Sequence, residues 1–97
     1  MSQIHFEWDD RKNISNKKKH GIFFEEAESV FQDANGRLIA DPDHSEDEDR
    51  FVLLGMSEAL RLLVVCHCYK ENDSLIRIIS ARKAKHYEFK IYEDYLT

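Results

Sequence analysis

Three runs of β-type residues follow one another in the second half of the chain, at 50–56, 60–69 and 74–80. The polar segments that join them, 57–59 and 70–73, are too short for the crossover of a dozen or more residues that parallel neighbours need. Successive runs are therefore expected to pair as antiparallel hairpins and to form a meander.

The first half of the chain predicts a short strand followed by two helices. Ile4, Phe6 and Trp8 alternate with polar residues, which is typical of a half-buried strand. Asp9 can cap a helix from about residue 10 to residue 19, with lysines in its last turn before Gly21. Apolar residues at helical spacing then predict a second helix that ends near the turn sequence 33–36. These apolar residues are Phe23, Ala27, Val30 and Phe31.

The remaining pattern completes an α+β fold. Residues 38–40 predict a brief strand, and the acidic segment 43–49 predicts a solvated loop. Ser80 can cap a last helix with one inward side. That side is formed by Ala84, Tyr87 or Glu88, Ile91 and Tyr95. We expect one domain over residues 1–97, with an antiparallel sheet packed against about three helices in the order β-α-α-β-β-β-β-α.

The charge of the chain is negative overall but unevenly distributed. Fourteen Lys and Arg against nineteen Asp and Glu give −5, which argues against a protein that coats nucleic acid. Residues 11–20 nevertheless carry five cations and no acid, and residues 77–90 carry five cations with Glu88 alone. A phosphate-binding face results if the two basic segments meet in space. Otherwise the lysines are solvated and only complement a helix dipole.

Neither a membrane span, a cofactor nor a metal is expected. No apolar run approaches the roughly 20 residues of a transmembrane helix and the start of the chain lacks a signal pattern, so a cytoplasmic location is predicted. Cys66 and Cys68 are poorly placed to bridge each other and are interpreted as reduced thiols. His67 points to the opposite face of that strand, so the three residues do not form a zinc site.

Two arginines have positions that suggest phosphate binding. Arg77 lies among aliphatic residues of a predicted strand, where its guanidinium needs either a carboxylate, such as Glu48 or Asp49, or a phosphate. Arg82 is expected at the start of the last helix, where free backbone N–H groups could complete an anion pocket.

His20 and Tyr87 are candidates for proton transfer. The cations beside His20 should lower its pKa toward the neutral form that a base needs, although a histidine that simply ends the helix is the simpler interpretation. Tyr87 has a phenol on a largely apolar side, where a core aromatic is the simpler interpretation.

Several residue strings occur in an order that resembles the BrnT toxin family, over residues 6 to 92. The resemblance is most specific in Lys19–His20–Gly21, preceded by Asn16, and in the string from Ile76 to Ala84. The other strings are Phe6–Glu7–Trp8–Asp9, Phe24–Glu25–Glu26–Ala27, Asp43–His44–Ser45 with Glu48 and Arg50, and Gly55–Met56–Ser57.

The resemblance implies a type II toxin with a RelE-like ribonuclease fold. Such a toxin cleaves RNA, arrests translation and is neutralised by a BrnA antitoxin, a ribbon-helix-helix protein through which the complex contacts operator DNA. Carried over residue by residue, the chemistry falls on Lys19, His20, Arg77 and Arg82, with Arg50 as a framework or phosphate contact. The RNA is further expected to contact Lys17, Lys18, Lys83 and Tyr87.

The expected reaction is metal-independent attack of a ribose 2′-OH on the adjacent phosphate. His20 would carry the proton, Arg77 and Arg82 would clamp the phosphate, Lys19 would add a positioning charge, and Tyr87 would be a reserve acid. An alternative is a catalytically silent module that binds a ribbon-helix-helix repressor and modulates its DNA binding. A third possibility is a structural domain in which the arginines are merely paired.

Overall fold

This computed structural model describes residues 3–39 and 50–96. In those residues the chain forms five strands, three α-helices and a 3₁₀ helix, Val30–Gln32, and the order of strands and α-helices is the predicted one. The strands are β1 His5–Glu7, β2 Arg37–Ile39, β3 Phe51–Met56, β4 Leu62–Lys70 and β5 Leu75–Lys83. The α-helices are α1 Asp10–His20, α2 Phe24–Ser29 and α3 His86–Leu96. Predictions that concern residues 40–49, including Glu48 and Asp49 as partners of Arg77, lie outside the described residues.

The strands form one mixed sheet in the order β1-β5-β4-β3-β2. Strands β3, β4 and β5 pair antiparallel in succession, which confirms the predicted meander, and β2 pairs antiparallel with the outer side of β3. Strand β1 is parallel to β5, with Glu7 opposite Arg77, so the expectation of a wholly antiparallel sheet is wrong. The hairpin argument applies only to strands joined by short loops, whereas β1 and β5 are separated by most of the chain.

Helix α1 begins and ends where its capping residues predict. The Asp9 carboxylate accepts the backbone N–H groups of Arg11 at 2.8 Å and Lys12 at 3.2 Å. Gly21 has the left-handed conformation, φ +75°, that commonly ends a helix. The helix therefore extends to His20, one residue beyond the prediction.

An asparagine attaches this polar helix to the sheet. Ile14, the one aliphatic side chain of α1, is 56% exposed, whereas Asn16 is buried. The Asn16 amide donates to the Ala81 carbonyl at 2.8 Å and accepts the Ala81 N–H at 3.1 Å, as a neighbouring strand would. It also donates to the Ile22 carbonyl at 2.8 Å. Because β1 covers β5 only over Leu75–Arg77, Asn16 satisfies backbone groups farther along the same edge.

Helix α2 is capped by a residue of another helix. Its N-cap, Phe23, makes no side-chain capping hydrogen bond, and the Asn13 side-chain oxygen accepts the Phe24 N–H at 2.7 Å instead. The prediction that Phe23 lies on the buried stripe is wrong, because its side chain is 46% exposed and Phe24 is the buried ring. Phe23 has an extended backbone, so it precedes the helix and falls outside the helical periodicity.

Strand β5 is longer than predicted, and this changes the position of Arg82. Ser80 does not cap a helix, because the backbone from Ser80 to Lys83 pairs with β4 and the last helix begins at His86. Arg82 therefore lies on a strand, and its predicted location at a helix N-terminus is wrong. Continued pairing with the long strand β4 satisfies the backbone groups that a helix start would leave free.

The inward side of α3 also differs in part from the prediction. Glu88 and Tyr92 are buried, and Ile91 packs against the core as expected. Tyr95 is more than half exposed, so its predicted inward position is wrong, and of the two alternatives Tyr87 and Glu88 it is Glu88 that points inward. The shifted helix start decides which of the neighbouring residues Tyr87 and Glu88 points inward.

The sheet separates two apolar clusters because successive residues of β4 alternate between its faces. The cluster on the face of α2 contains Ile22, Phe24, Ala27, Val30, Leu63, Val65, Ile78 and Ala81. The cluster on the face of α3 contains Val52, Leu54, Leu62, Val64 and Tyr92. Asn16 of α1 contacts the backbone of β5 at Ala81, and Glu88 of α3 contacts Arg82, so both helices meet the C-terminal half of β5.

Candidate active site

His20 lies partly buried at the end of α1, close to the C-terminal half of β5. Burial lowers the pKa of His20, and the positive charges of Lys19 and Arg82 lower it further. The imidazole is thus predominantly neutral at pH 7 and able to accept a proton. The electrostatic effect of Arg82 and the Asn16 contacts with Ala81 show that the two basic segments meet, as the phosphate-binding hypothesis requires.

Arg82 is held by a buried carboxylate. Its two terminal nitrogens donate to the two oxygens of Glu88, at 2.8 and 2.9 Å. The Glu88 side chain is 1% exposed, and it also accepts the Lys85 backbone N–H at 2.7 Å, which caps α3. Burial acts to raise the pKa of Glu88, but the hydrogen bonds from Arg82 and Lys85 outweigh it, so the carboxylate stays ionised. The guanidinium is therefore fixed in orientation beside the end of α1.

Arg77 lies on the same face of β5 as Arg82 because the strand contains a bulge. The pairing with β4 skips Ile79, so Arg77 faces Cys68 and Arg82 faces Val64. Val64 and Cys68 are four positions apart in β4, and side chains an even number of positions apart in a strand lie on the same face. Paired residues share a face, so both arginines point to that one face. Without the extra residue the two guanidinium groups would lie on opposite faces.

The two arginines nevertheless do not converge on one point. Their positions along β5 are about 13 Å apart, at about 3.3 Å per residue over four pairs. Arg77 donates to the Glu7 carboxylate at 2.7 Å, and both of these side chains are about one-third exposed. The structure thus brings together Lys19, His20 and Arg82, and it places Arg77 farther along the strand with a carboxylate partner of its own.

The different burial of the two ion pairs predicts different stabilities for their variants. Arg77→Ala should lower the free energy of unfolding by at most about 1 kcal/mol, because exposed ion pairs contribute little. Arg82→Ala should lower it by about 3 kcal/mol, because it leaves the Glu88 carboxylate buried without its cation. Denaturant titrations of both variants measure the difference. An Arg77→Ala protein that fails to fold would instead support the purely structural interpretation of this arginine.

The other predicted RNA contacts lie on α1, β5 and α3, and just before β3. Lys17 and Lys18 are exposed in the last turn of α1, and Lys83 is exposed at the end of β5. Tyr87 is 52% exposed in the first turn of α3, so the core interpretation of its ring is wrong. Arg50 directly precedes β3, two strands away from Arg77 across β4.

Two residues close to the end of α1, Arg61 and Phe23, were not predicted to be part of the site. Arg61 forms an ion pair with Glu26 and also donates to the Gly21 carbonyl at 3.5 Å, next to His20. Phe23 exposes its ring just beyond Gly21. Arg61 lies in a loop outside both basic segments, so no charge cluster indicates it, whereas an aromatic residue at a helix N-cap is a detectable anomaly.

Neither a metal centre nor a membrane helix is found in the described part of the chain. Within residues 3–39 and 50–96, no group of three or more His, Cys, Asp or Glu side chains could hold a metal ion. Over the same ranges, no helix has both the length and the apolarity needed to cross a membrane. Cys66 is buried, Cys68 is partly buried, and both are free thiols.

The fold and the site define a small α+β protein with a neutral histidine among cations, a combination suited to acid–base chemistry on a phosphate. Residues 8–88 match a family model described as ribonuclease toxin, BrnT, of type II toxin-antitoxin systems. The chain belongs to this BrnT family, as the residue strings predicted.

A solved structure shows the same fold. The chain is similar to the 1.1 Å crystal structure of the ribonuclease toxin BrnT from Brucella abortus, with a TM-score of 0.64 and 22% identity. The alignment covers 89% of this chain and 100% of the Brucella chain. No match is found among curated proteins. The RelE-like classification of the fold stays a prediction.

Proposed function

We propose that this chain is an active endoribonuclease toxin that needs no metal ion, and that its active site is the cluster of Lys19, His20 and Arg82. The observation that carries the proposal is that Asn16 holds α1 against β5 at Ala81, which places the partly buried His20, with Lys19, close to Arg82. A neutral imidazole can take a proton, and the cations favour a phosphate next to it. Membership of a ribonuclease toxin family supports RNA as the substrate.

In the proposed reaction, His20 accepts the proton of a ribose 2′-OH as that oxygen attacks the adjacent phosphorus. The bond from phosphorus to the 5′ oxygen of the next nucleotide breaks. The products are a 2′,3′-cyclic phosphate and a 5′-OH, once the leaving oxygen has gained a proton. Arg82 and Lys19 stabilise the negative charge that develops on the phosphorane. Arg77 holds the backbone from the same face of β5, and the exposed phenol of Tyr87 is the reserve acid.

A type II family implies an antitoxin partner. We propose that this partner is a BrnA-like ribbon-helix-helix protein that neutralises the toxin. Operator DNA is then contacted through the antitoxin, which agrees with the net charge of −5 on this chain. Cleavage of messenger RNA would account for arrested translation.

The pH dependence of cleavage should reflect the titration of His20. Because only the neutral imidazole accepts a proton, kcat/KM should decrease as the pH falls through the pKa of His20, which burial and the neighbouring cations lower from its ordinary value. Lys19→Met removes a nearby cation, so it should raise that pKa and move the acidic limb of the profile to higher pH. Initial rates of RNA cleavage between pH 4 and 8 measure both profiles, and identical acidic limbs would contradict the assignment.

The proposed function is tested with wild-type protein in cells and in solution. Induction should stop growth and degrade cellular RNA, and purified protein should cleave RNA in the presence of EDTA, leaving cyclic phosphate ends. Cleavage that disappears with EDTA and returns with added magnesium would overturn the metal-independent mechanism. Absence of growth arrest and of RNA degradation would overturn the proposed activity.

A specific observation favours a second candidate function, a silent module that binds a repressor. Both Arg77 and Arg82 are already paired with carboxylates, as expected if they serve only the fold. This candidate predicts a folded protein that binds the antitoxin and leaves RNA intact. The cell experiment separates the two functions, because only the ribonuclease arrests growth when expressed alone.

A further inference from the structure

Phe23 occupies a position at which its residue type is locally unfavourable. Helix N-caps prefer Ser, Thr, Asp or Asn, whose side chains satisfy the first free N–H groups, and a phenyl ring cannot do this. The chain compensates with Asn13, which accepts the Phe24 N–H at 2.7 Å. The Phe23 ring also remains 46% exposed, so much of it is open to solvent. Such a conflict between a residue and its position is expected where function selects the residue.

This ring lies just beyond the turn that ends the helix of His20. Phe23 follows His20 by three residues, across the turn at Gly21. The Lys17 ammonium lies 4.9 Å from the centre of the Phe23 ring and donates to the Gly21 carbonyl at 3.3 Å. Arg61 donates to the same carbonyl at 3.5 Å. A half-exposed aromatic ring thus has one cation, Lys17, over it and a second, Arg61, at the Gly21 carbonyl, in the turn that directly follows the proposed catalytic histidine.

We propose that Phe23 is the stacking platform for a nucleobase of the RNA, next to the phosphate that is cleaved. This inference rests on the proposed function. Single-stranded RNA is bound by stacking of unpaired bases on aromatic rings, while nearby cations hold the backbone. The cations around Phe23 favour RNA over an apolar segment of a protein as its occupant. Because a phenyl ring stacks on any base, the platform positions the RNA without selecting a sequence.

The test compares Phe23→Ser with Phe23→Trp in steady-state cleavage of a short single-stranded RNA of mixed sequence. The serine variant should raise KM about tenfold with little change in kcat, because stacking binds the ground state and the transition state alike. The tryptophan variant should keep the wild-type KM or lower it. Serine is a favoured N-cap residue, so the Tm of Phe23→Ser should not decrease. A raised KM in this variant would therefore not result from unfolding.

Phe89→Ser is the matched control, because Phe89 is also an exposed phenylalanine, at 42%, but lies on α3. It should leave KM unchanged. Wild-type KM in Phe23→Ser, or an equally raised KM in Phe23→Trp, would overturn the inference while the proposed function stands. A wild-type protein that neither cleaves nor binds this RNA, and leaves cellular RNA intact on induction, would overturn both.

Discussion

Replacement of His20 by alanine is expected to reduce the rate of RNA cleavage by about 10²-fold or more, with the fold intact. General acid–base catalysis by a positioned side chain contributes roughly 10²–10⁴-fold, and alanine cannot take the proton of the 2′-OH. The fold should remain intact because the charged neighbours of His20 are the cations Lys19 and Arg82, so truncation of the imidazole breaks no ion pair with a buried carboxylate. Single-turnover cleavage and thermal unfolding of the purified variant measure the two quantities.

His5→Ala is the matched control for this experiment. His5 is an exposed histidine on β1, so its loss should change neither cleavage nor Tm. Cleavage by His20→Ala at the wild-type rate would show that another group accepts the proton. In that case His20 only ends its helix, and the cluster would need a different base.

Replacement of Asn16 by alanine is expected to lower the free energy of unfolding by about 3 kcal/mol. The Asn16 amide makes three buried hydrogen bonds, to the N–H and carbonyl of Ala81 and to the carbonyl of Ile22. Each contributes about 1 kcal/mol, and alanine leaves the backbone groups buried without partners. In a domain of this size the Tm should decrease by roughly 10–20 °C. Cleavage should also decrease at temperatures where the variant is folded, because Asn16 holds the helix of His20 against β5.

Asn35→Ala provides the comparison. Asn35 is exposed in the turn before β2, so truncation of its side chain should change the Tm by only a few degrees. If the free energy of unfolding of Asn16→Ala equals that of Asn35→Ala, the hydrogen bonds of the Asn16 amide do not stabilise the packing of α1 on the sheet.

The features of the fold that were predicted correctly are those that depend on residues close together in the sequence. Asp9 and Gly21 bound α1 because capping depends on the adjacent backbone, and both positions are confirmed. The meander is confirmed because short connections leave antiparallel pairing as the only geometry. The parallel pairing of β1 with β5 was not predicted, because a strand far away in sequence can pair in either direction.

The errors concern contacts between distant segments. Ser80 is a good helix cap locally, but the length of β4 draws residues up to Lys83 into the sheet. Hydrophobic periodicity could not predict how α1 packs on the sheet, because the only aliphatic residue of α1, Ile14, is exposed and the contact with β5 is made by Asn16. For the site, the residue strings proposed His20 and the arginines as candidates, yet neither Glu7 nor Glu88 was predicted as an arginine partner.

The amino-acid sequence by itself determined the order of the strands and helices, the family, and the candidate groups for chemistry, because periodicity, capping and ordered motifs are all properties of the linear chain. The tertiary structure decided which of those groups meet. A single skipped residue, Ile79, puts Arg77 and Arg82 on one face of the sheet, and one amide, Asn16, sets His20 beside Arg82. Strand register and helix docking are settled by pairings across the whole fold, which no local pattern specifies.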